Sequence, residues 1–306
     1  MKLVGAILLA LLVAFPFLSS SQSIANIALL TALSVAAGQA WNISGGFGGM
    51  MSFGHVAFFG IGAYVTAIMQ TRYGINAWVG IPVAALLAAA TGFIISWCCS
   101  RAGLQGSYFA LVTLALAEAL RIAANSLDFT RAGLGISIEL SLAAANFQFA
   151  DKKVFYLVAL GLAVAATALC WLITRSRFGA QLIAIRENPD AARALGIDVA
   201  MTRAWALAVS GAIASLTGVL YAQVFLYIDP NIAFGAWRSV DMMLVALVGG
   251  AGTIFGPVLG GVALHLLGEV SRELIDVPGF ALALYGVVLL LIVGLLPGGF
   301  ARVRNA

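Results

Sequence analysis

The stretch "GGFGGMMSFGHVAFFGIGAY", residues 45–64, lies inside a run from Leu3 to Thr71 that contains no Lys, Arg, Asp or Glu. An uncharged apolar run is membrane-spanning material, but at ~1.5 Å per residue this one would extend to roughly 100 Å as a single helix, far more than a bilayer core. It must fold back, and the breaks are expected at Pro16 to Gln22 and at Asn42 to Gly49, where Gly, Ser and Asn gather. The quoted stretch is therefore a glycine-rich interruption of membrane helix, with His55 as its lone histidine.

The rest of the chain agrees. Of 306 residues, 62% are hydrophobic and 9% charged, against roughly 25% charged in an ordinary soluble domain. Further charge-free runs cover 73–100, 154–174, 204–228, 242–268 and 277–301. Helices are expected near 3–18, 23–41, 51–70, 76–99, 107–125, 154–174, 203–228, 239–249, 255–270 and 280–297, the eighth and ninth short enough to be half-helices. The fold class is an all-α polytopic membrane protein of about ten (8–10) transmembrane segments with glycine-rich broken helices, forming one domain over 1–306.

Orientation follows from the short loops. The segment 175–203 carries Arg175, Arg177, Arg186, Arg193 and Arg203 against Glu187, Asp190 and Asp198, which places it in the cytoplasm. Counting outwards, Lys2, Arg101 and the Arg302/Arg304 tail fall on the same side, so both termini are expected in the cytoplasm. The loops 126–153 and 269–276 fall outside. The apolar run after Lys2 could pass for a secretory signal, but no A-x-A-like cleavage site follows it and the next segment is itself a span.

Several classes of chemistry are absent from the sequence. Lys2, Lys152 and Lys153 are the only lysines and none stands in G-x-x-x-x-G-K-[ST], so ATP hydrolysis is not expected. Cys98, Cys99 and Cys170 have neither disulfide nor metal-ligand spacing. A net charge of +4 with the basic residues gathered in one loop is no nucleic-acid signature. No cofactor site and no catalytic set is found. The intramembrane polar candidates are Glu118 with Arg121, Asp241, His55 and His265, because charged groups in lipid are costly and kept for function. Glu118 and Arg121 share a helix face at i, i+3, and either neutralise one another or line a pathway.

Within 175–203, Asn188 can cap a helix, Pro189 suits its first position, Asp190 complements the positive end and Gly196 can terminate it. A short helix over 189–195 is expected, with Arg186 and Arg193 directed to water or a partner and Ala191, Ala192 and Leu195 forming a small dockable surface. A second glycine-rich stretch, "VGGAGTIFGPVLGG" at 248–261, echoes the first. Paired Gly/Pro interruptions in the two halves of a membrane chain point to a midplane pathway.

Four blocks together resemble the permease subunits of branched-chain amino-acid ABC transporters, and the LivM type more than its LivH partner. They are "NISGGFGGMMSFGHVAFFGIGAY" at 42–64, "RAGLQGSYFALVTLALAEALR" at 101–121, "SRFGAQLIAIRENPDAARALGI" at 176–197 and "VGGAGTIFGPVLGG". The resemblance implies a permease domain whose 175–203 loop contains a coupling helix. Asp190, Ala191, Ala192 and Gly196 match the E-A-A-x-x-x-G core, and Arg186 and Glu187 lie beside it. It also implies a second, LivH-like permease, two nucleotide-binding ATPase subunits and a periplasmic substrate-binding protein, in a bacterial inner membrane. The translocation pathway is expected around Asn42, Ser52, Phe53, His55, Gly60, Gly62, Tyr108 and Glu118. Met50, Met51 and the Arg131-Ala132 pair depart from the family pattern. Urea, amides and aromatic acids are alternative solutes to branched-chain amino acids, and an ATP-independent channel or secondary transporter is the rival mechanism.

Overall fold

The computed structural model describes residues 22–141, 146–149, 151–274 and 286–287. The helix expected at 3–18, all but residues 286–287 of the one expected at 280–297, and the terminal charges Lys2, Arg302 and Arg304 lie outside the described residues. Within them the fold is helical, and six units are long and apolar enough to cross a membrane: Ser23–Phe47, Ala77–Arg101, Ser107–Ser126, Lys152–Arg175, Val199–Phe225 and Pro230–Gly249. That is fewer than the ten segments expected from the sequence. His55–Tyr73 is a helix whose glycines, Thr66, Gln70, Thr71 and Arg72 keep it out of that apolar set. The expected half-helix at 239–249 is longer and joins a preceding turn, Pro230–Phe234, in one unit of spanning length.

In chain order the helices are α1 (Gln22–Trp41), α2 (His55–Tyr73), α3 (Ala77–Arg101), α4 (Ser107–Ser126), α5 (Lys152–Arg175), α6 (Arg177–Glu187), α7 (Pro189–Ala194), α8 (Val199–Phe225), α9 (Pro230–Phe234), α10 (Ala236–Gly249) and α11 (Gly256–Leu274). α1 runs on into a π-helical turn, Asn42–Phe47. Side-chain caps mark many starts, as Asn, Asp and Ser require when they accept the first free amides. Asn76 opens α3, Asp151 opens α5, Ser176 opens α6, Asp198 opens α8 and Asp229 opens α9.

α8 is the central helix. One side meets α3, whose buried row of small residues, Gly80, Ala84, Ala88 and Gly92, recurs every four residues; Ala88 and Gly92 lie against Gly211 and Leu207 of α8, while Gly80 lies against Thr66 of α2. A Cβ at Gly92 would crowd the carbonyl oxygen of Leu207. The other side meets α2, where a Cβ at Gly62 would overlap the carbonyl of Ser215 and one at Gly218 the carbonyl of Phe59. In lipid, where apolar side chains gain nothing by leaving the solvent, such close backbone approach is a main source of helix association.

Two ends can be recognised. At one, Arg101 lies 5.4 Å from the Trp97 ring and Arg175 lies 4.3 Å from the Trp171 ring, both cation and indole being anchors at a membrane surface. The π-helical turn, the 48–54 loop, α6, α7 and the 250–255 turn gather there. At the other end the stretches 127–141 and 146–149 are tied to the bundle. Ile136–Ser137 pairs antiparallel with Tyr227–Ile228, the one departure from an all-α description among the described residues. Arg72 donates to the Asp128 carbonyl at 2.5 Å, and the Gln148 amide holds Ser141 N–H and Glu139 C=O at 2.6 and 3.0 Å.

Candidate functional site

The two glycine-rich breaks, read as separate in sequence, touch one another. Backbone inside a membrane protein is tolerated outside a helix only where its polar groups are satisfied by protein or water, and here side chains of α1, the π-helical turn, α4 and α10 hold the two breaks. Asn42 Oδ1 accepts from Gly252 N–H at 2.8 Å, and its Nδ2 donates to the Thr253 carbonyl at 2.9 Å. Gln39, one turn earlier, donates to the Ile254 carbonyl at 2.8 Å. Across the first break, Trp41 Nε1 donates to Ser52 C=O, Phe53 N–H donates to Thr113 Oγ1 and Val56 N–H donates to Ser239 Oγ. A Cβ at Gly46 would overlap Asn42 and the Gly252 amide, so glycine is what lets the breaks meet.

His55 is fully buried at the start of α2, in a cage of three serines. Its Nε2 is 2.7 Å from Ser210 Oγ and 3.2 Å from Ser44 Oγ, and its Nδ1 is 3.0 Å from Ser52 Oγ. The donor inventory fixes the tautomer. Ser210 gives its proton to the Ala40 carbonyl at 2.5 Å, so at 2.7 Å from Nε2 it accepts from His55. Nε2 therefore carries the hydrogen and Nδ1 accepts from Ser52. Both ring nitrogens are engaged, and the imidazole pins the first break to α8.

The eight residues expected around a pathway divide into two groups. Asn42, Ser52, His55, Gly60 and Gly62 are buried, Gly60 beneath the Phe234 ring and Gly62 against Ser215. Phe53 is half-buried beside Thr113. Tyr108 and Glu118 lie apart from these, on the outer face of α4 with Leu111, Ala115 and Ile122, an exposed stripe at i, i+3, i+7, i+10 and i+14. Glu118 forms a two-point pair with Arg121 at 2.5 and 2.9 Å, and Arg121 Nη1 donates to Asn231 Oδ1 of α9 at 2.9 Å. A charged pair thus stands exposed within a helix of spanning length. Asp241 interacts electrostatically with Arg238 and His265 between α10 and α11, and Arg238 is stacked among Phe59, Tyr221 and Trp237 at 4.2 to 4.6 Å.

The α6–α7 unit is built as the sequence indicates, with two corrections. Asn188 Oδ1 accepts from Asp190 N–H and Ala191 N–H, both at 3.0 Å, and Pro189 is the first helical residue. At the far end Gly196, at φ +83°, donates to the Arg193 carbonyl at 2.9 Å and Ile197 to the Ala192 carbonyl at 3.1 Å, the paired bonds of a Schellman stop. The first correction is Ala192. It turns inward against Ile185 and Val199 because it lies on the face of α7 that packs on α6 and α8, which leaves Ala191, Ala194 and Leu195 outward, Leu195 being 81% exposed. The second is Arg186, expected to face water or a partner subunit, which turns instead to this chain's own backbone. Its Nη1 reaches the Gly46 carbonyl at 2.9 Å, while its Nε and Nη2 hold Glu187 at 3.2 and 2.8 Å. Asp190 pairs with Arg193 at the exposed surface.

Gln39, Ser44 and Ser210 were not singled out by sequence reasoning. Gln39 and Ser44 could have been found as polar residues three before and two after Asn42 at the end of an otherwise apolar run, whereas Ser210 had no such signal.

The model for the family described as "Branched-chain amino acid transport system / permease component" matches residues 23–293. The chain is 32% identical to the high-affinity branched-chain amino acid transport system permease protein LivM of Escherichia coli, over 97% of this chain and 75% of the relative. It is 29% identical to the probable branched-chain amino acid transport permease protein LivM of Methanocaldococcus jannaschii, over 82% of this chain and 80% of that one. The probable LivH permease of the same archaeon is 26% identical over 76% of this chain and 75% of its own length. No solved structure matches the chain.

Proposed function

The chain belongs to the family of branched-chain amino acid transport system permease components, and from that premise we propose that it is one of two permeases through which an ATP-driven importer passes branched-chain amino acids. It is a multi-pass membrane protein and a transport subunit. The proposed partners are a second, LivH-like permease, two ATPase subunits, one of them against α6 and α7, and a periplasmic substrate-binding protein against the 126–153 loop. The proposed setting is the bacterial inner membrane, with the arginine-rich end and both termini in the cytoplasm. About ten segments would then cross the membrane, counting 3–18 and 280–297.

The observation that supports an ATPase-driven mechanism is the α6–α7 unit. It is a rigidly capped, outward-facing short helix on a domain whose sequence has no nucleotide-binding loop of its own. Capping removes the fraying expected of so short a helix, so displacement of α7 is passed on instead of absorbed. Ala191, Ala194 and Leu195 offer the surface, and the Asp190–Arg193 pair offers charge at its edge.

For the pathway, the support comes from α4. An ion pair facing lipid is costly, and intramembrane charges face a bundle interior or an aqueous cavity. The Tyr108–Glu118 face is therefore assigned to the passage between this subunit and its partner permease. The buried set, Asn42, Ser52, His55, Gly60 and Gly62, forms the packed hinge behind it, with Phe53 at the join. Alternating access then means rearranging the junction of the breaks while α2, α3 and α8 stay packed.

A transport assay in cells lacking their own branched-chain amino-acid uptake tests this reading. Labelled leucine is expected to enter when this chain is produced with its partner permease, ATPases and binding protein, and not when the ATPases are omitted. Uptake by this chain without any ATPase would establish the channel or secondary-transporter mechanism instead.

A further inference from the structure

We propose that Arg186 is the positioning residue that fastens α6 to the junction of the two broken helices, so that movement of the coupling unit opens or closes that junction directly. The proposal rests on the permease reading above and adds the internal route by which coupling reaches the membrane segments.

An arginine in the last turn of a surface helix ordinarily extends into water. Arg186 instead points back under the membrane domain, with its side chain 30% exposed. Its Nη1 donates to the Gly46 carbonyl, a group freed by the break after α1. Glycines of both breaks shape the space around it. A Cβ at Gly49 would stand 2.6 Å from Arg186 Cγ, and one at Gly252 would stand 2.7 Å from Nη1. Both glycines are also left-handed, at φ +66° and +76°, so no other residue fits the backbone without strain. From Gly46 the chain of contacts continues without a gap, since Gly46 lies against Asn42 and the Gly252 amide, and Asn42 holds Gly252 and Thr253.

The neighbouring part of the same α6 face carries the coupling helix. Ile185 packs with Ala192 and Val199, and Leu182 lies over Gly48. One short helix therefore touches α7 through Ile185 and the break junction through Leu182 and Arg186. The guanidinium suits this place because its planar fork serves two acceptors at once, the Gly46 carbonyl through Nη1 and the Glu187 carboxylate through Nε and Nη2. A lysine has one charge centre and can reach Gly46 or Glu187 but cannot align with both in that geometry. Glu187, exposed and adjacent, orients the fork.

The test uses the complete importer in proteoliposomes, with ATP hydrolysis and leucine uptake measured on the same preparation. Arg186→Ala is expected to keep ATP hydrolysis within about twofold of wild type while uptake per ATP falls about tenfold, Arg186→Lys falling between. Amide hydrogen exchange at 46–49 and 250–253 should rise in Arg186→Ala, with 107–126 unchanged. A ratio of uptake to ATP hydrolysis equal to that of wild type overturns the proposal, whether or not both rates have dropped. If Arg186→Ala does not accumulate in the membrane, Glu187→Gln decides, since it leaves Arg186 in place without its orienting carboxylate. It should lower the same ratio by a smaller factor, and an unchanged ratio overturns the proposal. Failure of the reading beneath it looks different: wild-type uptake would then proceed without ATP, whatever stands at 186.

Discussion

Asn42 Oδ1 accepts the backbone N–H of Gly252 at 2.8 Å, across 210 residues of sequence. With its Nδ2 on the Thr253 carbonyl, one carboxamide joins the two helix interruptions into a single junction. Replacing it with leucine leaves one donor and one acceptor buried and unpaired, at roughly 1–3 kcal/mol each. Asn42→Leu should lower the thermal unfolding midpoint of the detergent-purified subunit, and Asn42→Asp, which forces a carboxylate against the Thr253 carbonyl in a buried site, should lower it as well.

His55 is a second pin, and its closed hydrogen bonding separates packing from a solute contact. His55→Ala strands Ser52 and removes the donor to Ser210, so the amount of folded protein should fall. Uptake per folded complex should keep the wild-type KM for leucine, because both ring nitrogens are already engaged. A KM raised severalfold with normal stability would return His55 to the pathway.

Glycine substitutions give an internally controlled comparison. Gly62→Ala drives a methyl into the Ser215 carbonyl, and overpacking of this kind costs about 1–3 kcal/mol. Gly161→Ala meets nothing within 4 Å and gains helix propensity, up to about 1 kcal/mol. Unfolding midpoints of the two variants should move in opposite directions.

On α7, Leu195→Glu alters an exposed side chain and Ala192→Glu a buried one. The first should leave the permease folded while reducing ATPase co-purification. The second should reduce folded protein itself, since a carboxylate would be forced between Ile185 and Val199. Size-exclusion chromatography and the recovered ATPase ratio distinguish the two.

Along α4, Glu118→Gln and Arg121→Gln each leave a single charge on an exposed spanning face. Each should slow leucine uptake more than the double variant, which leaves none. Equal uptake in all three would place this face away from both pathway and partner.

Eight of the ten expected helices coincide with helices of the structure within a few residues, because their ends are written in caps and charges such as Asn76, Asp151, Ser176 and Asp198. The glycine breaks were equally legible, and so was the α7 stop at Gly196. Contacts between distant segments were not. Nothing local in "NISGGF" names Gly252 as the partner of Asn42, and a mainly apolar helix carries little rotational signal to say which side faces α8. Arg186 misleads for a physical reason: charge at a helix end predicts solvent, yet the unpaired Gly46 carbonyl supplies a better site for a donor. Ala192 misleads because alanine carries no polarity pattern, so the face it occupies is decided by Ile185 and Val199.

The most direct test of the account is labelled leucine accumulation in proteoliposomes containing this chain, its partner permease and its ATPases, with the binding protein on the opposite side from ATP. Accumulation above the external concentration that requires ATP and stops when the ATPase subunits are left out is the result predicted. Accumulation of the same size without ATP, or without those subunits, would contradict it.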